Sequence, residues 1–355
     1  MLSFLKGKRV FLTGHTGFKG SWLSLLLLRA GAEVTGYALP AAGEPNLFSL
    51  LGLAANMHSI LGDVRDPDAL KAAVAAAKPE LVLHLAAQPL VRDSYQNPVY
   101  TYSTNVMGTV HLLEALRGVP SVRSVLNVTT DKVYRNHEWA WGYRETDVLD
   151  GFDPYSNSKS CSELVTHSYR RSFFANGQVA ISTARAGNVI GGGDFAADRI
   201  VPDCIRAAMA EKPIFVRNPH STRPYQHVLE PLYAYLGIVQ QQWEAPAFAG
   251  SYNVGPEDRD CITTGELADL FVSAWGGSAA WYTEADPNAP HEAGFLKLDC
   301  SKLKAALGWK PTWHVQEAVE KTVAWAKACQ AGENPREISL RQIGEFEKAS
   351  EAHSR

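Results

Sequence analysis

The sequence predicts an α/β fold built on a doubly wound parallel sheet, and three observations carry that prediction. Short β-branched apolar runs alternate with helix-length segments through the first half of the chain. The first of these runs passes straight into a glycine-rich turn and a leucine-rich helix. Near Asn188 the rhythm breaks at Gly191–Gly193, and the elements that follow are shorter and punctuated by proline. Strand–helix alternation makes consecutive strands parallel, and right-handed crossovers fix their order.

Taken in order, strands are expected over residues 9–13, 33–38, 81–86, 124–129 and 179–185. Crossover helices are expected over 19–30, 67–77, a segment around 105–116, and 156–174, each long enough to bridge two parallel strands. Residues 1–188 are read as a dinucleotide-binding domain and 189–355 as mainly a smaller substrate-binding lobe, with elements at 217–223, 264–274 and 301–307. A strand-like stretch at 250–254 is placed to return to the sheet, so the two lobes interleave.

Composition narrows the function. With 355 residues, 46% apolar and 20% charged, the chain is long enough for one large or two smaller cores and is far from a disordered composition. Its net charge is −3 with the basic residues scattered, which gives no footprint for nucleic acid or an anionic membrane. The apolar stretch 22–28 falls well short of the roughly 20 residues of a membrane span and lacks the basic leader of a secretion signal. Cys161, Cys204, Cys261, Cys300 and Cys329 lie far apart with no CxxC pair, so reduced thiols, a cytoplasmic location and no zinc site are expected. The eleven histidines show no ligand spacing, and no metal is expected. Trp139, Trp141 and Trp309 are read as core or interface packing.

The first candidate site is the turn Gly14-His15-Thr16-Gly17-Phe18-Lys19-Gly20. Strand–turn–helix is the context a phosphate-binding glycine motif needs. Gly14 makes the sharp turn, Gly17 lets backbone approach a pyrophosphate, and Gly20 lets the helix pack on its strand, while free N–H groups and the helix dipole favour the anion. The GxxGxxG spacing resembles the TGxxGxxG of the extended short-chain dehydrogenases/reductases, a Rossmann-like fold, and that resemblance implies a bound NAD. It also implies that Asp63 and Val64, following the second strand, meet the adenine, that Ala86, Ala87 and Gln88 pass the nicotinamide side, and that Asn105 buttresses the site. The second strand ends Gly36-Tyr37-Ala38 with neither an acid for the ribose 2′-hydroxyl nor an arginine for a 2′-phosphate. NAD is favoured, and Lys19 is the residue that would reach the 2′-phosphate of NADP.

The second candidate site is Tyr155 and Lys159, four residues apart and so on one helix face. A phenol is a poor base at neutral pH, and a nearby ammonium stabilises its phenolate for taking a hydroxyl proton during hydride transfer. Thr130 ends the preceding strand at the edge where such sheets bind ligands. Next to it stand Asp131 and Lys132, an adjacent acid and base. Once C4 of a hexose is a ketone its C5 proton is acidic, and a base at C5 with an acid at the C6 hydroxyl expels water. That chemistry needs Lys132 neutral and Asp131 protonated; burial favours both forms, and the attraction between the two opposes them.

The run Thr130-Asp131-Lys132-Val133-Tyr134 resembles the Thr-Asp-Lys-Val-Tyr of the CDP-glucose 4,6-dehydratases, as do residues 14–22, 84–92 and 185–194. The resemblance spans nearly the whole chain. It implies CDP-glucose as substrate, Tyr155 as base at O4, NAD retained through turnover because net redox is zero, and CDP-4-dehydro-6-deoxyglucose as product. It further implies that Asn188, Arg199, Arg217 and Arg223 grip the nucleotide diphosphate, with His291 beside it. Arginine forks suit phosphate oxygens. Family members pair through helices beside the active site, so the helix at 156–174 is the expected interface of a homodimer or dimer of dimers. Two other readings stay open. One is a 4,6-dehydratase or 4-epimerase for another nucleotide sugar, the epimerase being disfavoured by Asp131 and Lys132. The other is a non-catalytic NAD-binding scaffold, disfavoured by the intact Thr130, Tyr155 and Lys159.

Overall fold

The computed structural model describes residues 2–175, 177–284 and 294–353. Seven strands make one sheet: β1 (Arg9–Thr13), β2 (Glu33–Ala38), β3 (His58–Leu61), β4 (Leu81–His84), β5 (Ser124–Thr130), β6 (Ala180–Ala186) and β7 (Ser251–Val254). They lie in the order β7-β6-β5-β4-β1-β2-β3, and every neighbouring pair is parallel. The winding reverses between β1 and β4, where Thr13 pairs with His84. A cleft opens beyond the carboxyl ends at such a switch point.

Strands β4, β5 and β6 are buried along their whole length, as expected of parallel strands covered on both faces. Alternation along β1 divides the two layers. Phe11 packs into one core with Leu70, Val74, Leu112 and Leu116. Val10 and Leu12 pack into the other with Trp22 to Leu27. The first layer comes from α2 (Pro67–Ala77) and α3 (Gly108–Leu116), and the second begins with α1 (Phe18–Arg29). The leucine-rich stretch after the glycine turn is thus core.

The crossover that ends at the chemistry is α4 (Pro154–Ser172). Pro154 occupies its first turn, where the missing N–H costs nothing, and the Asp153 carboxylate caps it by accepting from the Ser156 N–H at 2.9 Å. This helix docks through polar side chains: Ser156, Ser158, Lys159, Ser160, Ser162, Glu163 and Thr166 are all buried.

The structure corrects the sequence reading in several places. The strand β3 was not expected, because His-Ser-Ile-Leu is a short, half-exposed edge strand without an apolar run. Asp63 and Val64 therefore follow the third strand, not the second. The strand expected over 81–86 ends at His84, and α3 is preceded by a π-helical turn over Ser103–Met107. Beyond residue 188, α5 (Ile200–Met209), α6 (Leu229–Glu244), α8 (Val315–Gln330) and α9 (Pro335–His353) were not foreseen, whereas the elements expected at 264–274 and 301–307, of unstated type, are the helices α7 (Thr264–Trp275) and Ser301–Leu307. Pro231 disguises α6, although proline is tolerated in a first turn. Helix α6 packs on β5 and β6, β7 pairs outside β6, and Ile338, Ile343 and Phe346 of α9 join the core around α1. The later segments also build a core of their own around Ile214, Tyr225, Leu267, Phe271 and Val319.

Trp139 stacks on Tyr143 at 5.2 Å and Trp309 packs partly buried, but Trp141 is 65% exposed and is not core. All five cysteines are free. Among the described residues no helix is long and apolar enough to cross a membrane, and no three acidic, histidine or cysteine side chains are grouped to hold a metal.

Candidate active site

A cavity of about 1300 Å³ runs along the carboxyl ends of the strands, from Leu39, Gly62 and Asp63 past Ala86, Thr130 and Tyr155 to Asn188, Arg199, Arg217 and Arg223. Its first end is shaped for a dinucleotide. Gly14 has φ +76°, and a Cβ there would stand 2.7 Å from the Ala86 nitrogen. A Cβ on Gly20 would overlap the Gly14 carbonyl, so only glycine lets α1 reach its strand. Gly17 meets nothing nearer than 3.5 Å, and with Thr16, Phe18 and Lys19 it lines the cavity. The N-terminus of α1 is thereby left open toward an anion.

Among the residues expected at the cofactor, Gln88 and Lys19 sit differently from that expectation. The Asp63 carboxylate is clasped by Arg65, Nη2 to Oδ2 at 2.5 Å, and both Asp63 and Val64 line the cavity. Gln88 and Asn105 do not line it. Asn105 Oδ1 accepts from the Gln88 N–H at 2.9 Å, and its Nδ2 donates to Ser158 Oγ at 2.9 Å, bracing α4 from behind the wall. Lys19 points to the chemical end. Burial first, then Arg199 and Lys159, push its ammonium down to about 8, with Asp131 opposing. It is turned away from the end of β2, where a 2′-phosphate would lie, and Ala38 and Leu39 present no cation there.

At the chemical end, β5 and α4 bring Thr130, Asp131, Lys132, Tyr155 and Lys159 to one wall. Tyr155 is hydrogen-bonded to Thr130, but burial outweighs that bond and pushes the phenol up to about 12. Lys159 donates to the Val128 carbonyl at 3.1 Å. Burial pushes its ammonium down to about 8, and the charge of Glu163 opposes this. Asp131 is fully buried. Its Oδ1 accepts from Thr130 Oγ1 at 2.9 Å and from Lys132 Nζ at 3.2 Å, while Oδ2 has no hydrogen-bond partner. Gly187 passes so close to Oδ2 that a Cβ there would stand 3.2 Å away. Lys132 is half-buried and also reaches Asn188 Oδ1 at 3.5 Å.

The far end is cationic, and its arginines are already partnered. Arg199 donates to Asp194 at 3.2 Å. Arg217 holds both the carboxylate and the carbonyl of Asp198, at 2.5 and 2.8 Å, and Arg92 stands 3.7 Å from the same carboxylate. Arg223 is buried, with Nη1 donating to the Thr222 carbonyl at 2.9 Å. His291 lies outside the described residues. The roles of Asp194, Asp198 and Arg92 were missed in the sequence, where lone charges in loops read as solvated. Tyr134, which closes the run Thr130–Tyr134, is also on the wall, as is Phe215, which carried no signal beyond its aromatic character.

Residues 11–322 match the model of the family described as GDP-mannose 4,6 dehydratase. The chain is 50% identical to a CDP-glucose 4,6-dehydratase of Salmonella typhimurium, over 98% of both chains. Among solved structures it resembles a dTDP-glucose 4,6-dehydratase of Bacillus anthracis in complex with NAD, with TM-score 0.76 and 19% identity over 93% of this chain and 99% of that one. It also resembles a UDP-glucuronic acid 4-epimerase of Bacillus cereus in complex with UDP-glucuronic acid and NAD, with TM-score 0.78 and 22% identity over 90% and 99%.

Proposed function

The chain belongs to the GDP-mannose 4,6-dehydratase family, and from that premise we propose that it removes water from CDP-glucose to give CDP-4-dehydro-6-deoxy-D-glucose, a step toward deoxysugars. The observation that carries this reading is the pair Asp131–Lys132 in the cavity wall: a buried carboxylate with one oxygen bonded to an amine and the other unpartnered, one residue beyond Thr130. A simple oxidoreductase or epimerase has no use for such a pair, whereas an elimination needs both members.

The glycine cradle with Thr16 and Phe18 at the start of α1 would hold NAD, which when bound would supply reversible hydride transfer to the sugar. Tyr155, poised by Thr130, takes the O4 proton. Moving one proton from Lys132 to Asp131 turns the ion pair into a neutral amine and a carboxylic acid. Lys132 then removes the C5 proton of the 4-keto sugar, and Asp131 protonates the C6 hydroxyl as it leaves as water. The proton held by Lys132 returns to C5. Lys159 fixes the strand end through Val128 and supplies positive charge behind Tyr155. Arg199, Arg217 and Arg223 take the diphosphate, Arg199 and Arg217 exchanging carboxylate partners for phosphate oxygens. Residues 1–188 thus serve mainly the cofactor and 189–355 the nucleotide sugar. Leu164, exposed on α4, and Phe173, exposed just beyond its end, support its pairing with a second copy.

Purified protein offered CDP-, dTDP-, GDP- and UDP-glucose should lose one water from CDP-glucose alone, read by mass and by the alkaline absorbance of the 4-keto product, and Lys132→Ala should abolish it. Water loss from another nucleotide would overturn the substrate, and no water loss would overturn the dehydratase.

A further inference from the structure

Behind the wall that carries Asp131 and Lys132 lies an ion pair the proposed chemistry does not use. Glu163 of α4 and Arg185 of β6 are both fully buried, 2.8 Å apart, and neither lines the cavity. Burying two charges is costly unless their remaining polar atoms are satisfied. Here the satisfying partners are informative. Glu163 accepts from Thr129 Oγ1 at 2.5 Å and from Thr183 Oγ1 at 2.7 Å. Arg185 donates to the Tyr134 hydroxyl at 2.7 Å and to the Glu145 carbonyl at 3.1 Å.

Thr129 and Tyr134 flank the short 3-10 turn Asp131–Val133, which Thr130 begins. The buried pair therefore grips the chain two residues before and two residues after the acid–base pair. The grip has depth. The Tyr134 hydroxyl donates to Asn253 Oδ1 at 2.6 Å, and Asn253 Nδ2 donates to the carbonyls of Tyr143 and Asp299 at 2.7 and 3.0 Å. The Tyr134 ring stacks on Tyr143 at 5.2 Å. Thr129 also lies opposite Arg185 in the β5–β6 register, so the clamp closes across adjacent strands.

We propose that Glu163 and Arg185 are positioning residues for elimination, holding the turn through Thr129 on one side and Tyr134 on the other, so that Asp131 and Lys132 meet C6 and C5 of the sugar. The inference rests on Asp131 and Lys132 being the elimination pair. It distinguishes two halves of one site. Tyr155 and Lys159 stand on α4 itself, while Asp131 and Lys132 stand on a turn whose position depends on these tethers. Loosening the tethers slows water loss and leaves C4 oxidation intact. A displacement of about 1 Å in a reacting group is enough for losses on the order of 100-fold.

Glu163→Gln would strand the Arg185 charge in the core and threaten the fold, so the test uses single hydroxyls. Tyr134→Phe and Thr129→Val each remove one tether and leave the ion pair in place. In the NAD-loaded enzyme with CDP-glucose, each should lower kcat for water loss by about 10-fold or more with KM within about 3-fold, and the near-ultraviolet absorbance of reduced cofactor should build up during turnover. Arg185→Lys keeps the charge but loses the fork, and should show the same split, with water loss slowed and oxidation intact. Wild-type kcat in the two hydroxyl variants, or equal loss of oxidation and elimination, would overturn the proposal. Lys132→Ala run alongside separates the premise: full dehydration by that variant would remove the elimination pair itself.

Discussion

Tyr155 and Lys159 are held in a way that makes their titration a shared property. Burial pushes the phenol up to about 12 and the ammonium down to about 8. The productive form, phenolate beside ammonium, has lost one proton, as has the competing form with neutral phenol and amine. Activity should therefore rise with pH as the pair loses its first proton near 8, and Lys159→Met should move that limb upward toward the Tyr155 value, read from kcat/KM against pH. Asp198 offers a second test. It adopts φ +61° while engaging Arg217, and asparagine tolerates that backbone. An exposed pair is worth about 0.2–1 kcal/mol, so Asp198→Asn should lower KM for CDP-glucose by roughly 1.4- to 5-fold with kcat unchanged. At this scale residue type and spacing in the sequence single out Tyr155, Lys159, Asp131 and Lys132, and the fold brings the four to one wall. Direction is what the sequence does not carry, as with Lys19 turning to the chemical end and Gln88 staying behind the wall.

The glycine turn and α1 act as one element, and their fit leaves no slack. A methyl at Gly20 overlaps the Gly14 carbonyl and would lever α1 off β1. Gly20→Ala should therefore reduce the NAD recovered from purified protein by at least about 10-fold, measured by releasing and quantifying the nucleotide, because the anion-binding helix terminus depends on that approach. Elements with strong periodicity or a fixed motif were read correctly, β1 and β2 to the residue. Edge strand β3 failed because four half-exposed residues carry no pattern. Helix α4 was expected, but not that its buried face would be serine, threonine, lysine and glutamate; its packing is decided by partners on β5 and β6 that a helical wheel does not display.

For the molecule as a whole, three buried groups set a pH dependence of stability. His84 and His227 are pushed down to about 3 and Glu230 up to about 8, burial being the largest cause in each. Between about 4.5 and 6.5 the unfolded chain binds a proton at each histidine while the native chain keeps one on Glu230, so these groups make stability fall as pH drops. Below about 4.5 the fall steepens. Between about 6.5 and 8 only Glu230 differs, and stability falls as pH rises, at about 1.4 kcal/mol per unit. Thermal unfolding should peak near pH 6.5, and Glu230→Gln should gain on the parent steadily from pH 6.5 to 8. None of this was visible in the sequence, since burial of a lone histidine or glutamate is a product of the finished fold.

The return of β7 and α6 to a sheet begun more than a hundred residues earlier has a consequence for how the chain is made. Until residue 254 has emerged during synthesis, β6 presents an unpaired edge, and β5 and β6 lack the cover of Tyr235, Val239 and their neighbours. The nascent first half is therefore a sticky, incomplete sheet and not a finished module, and cutting the gene at residue 188 should yield aggregate in place of a small NAD-binding protein.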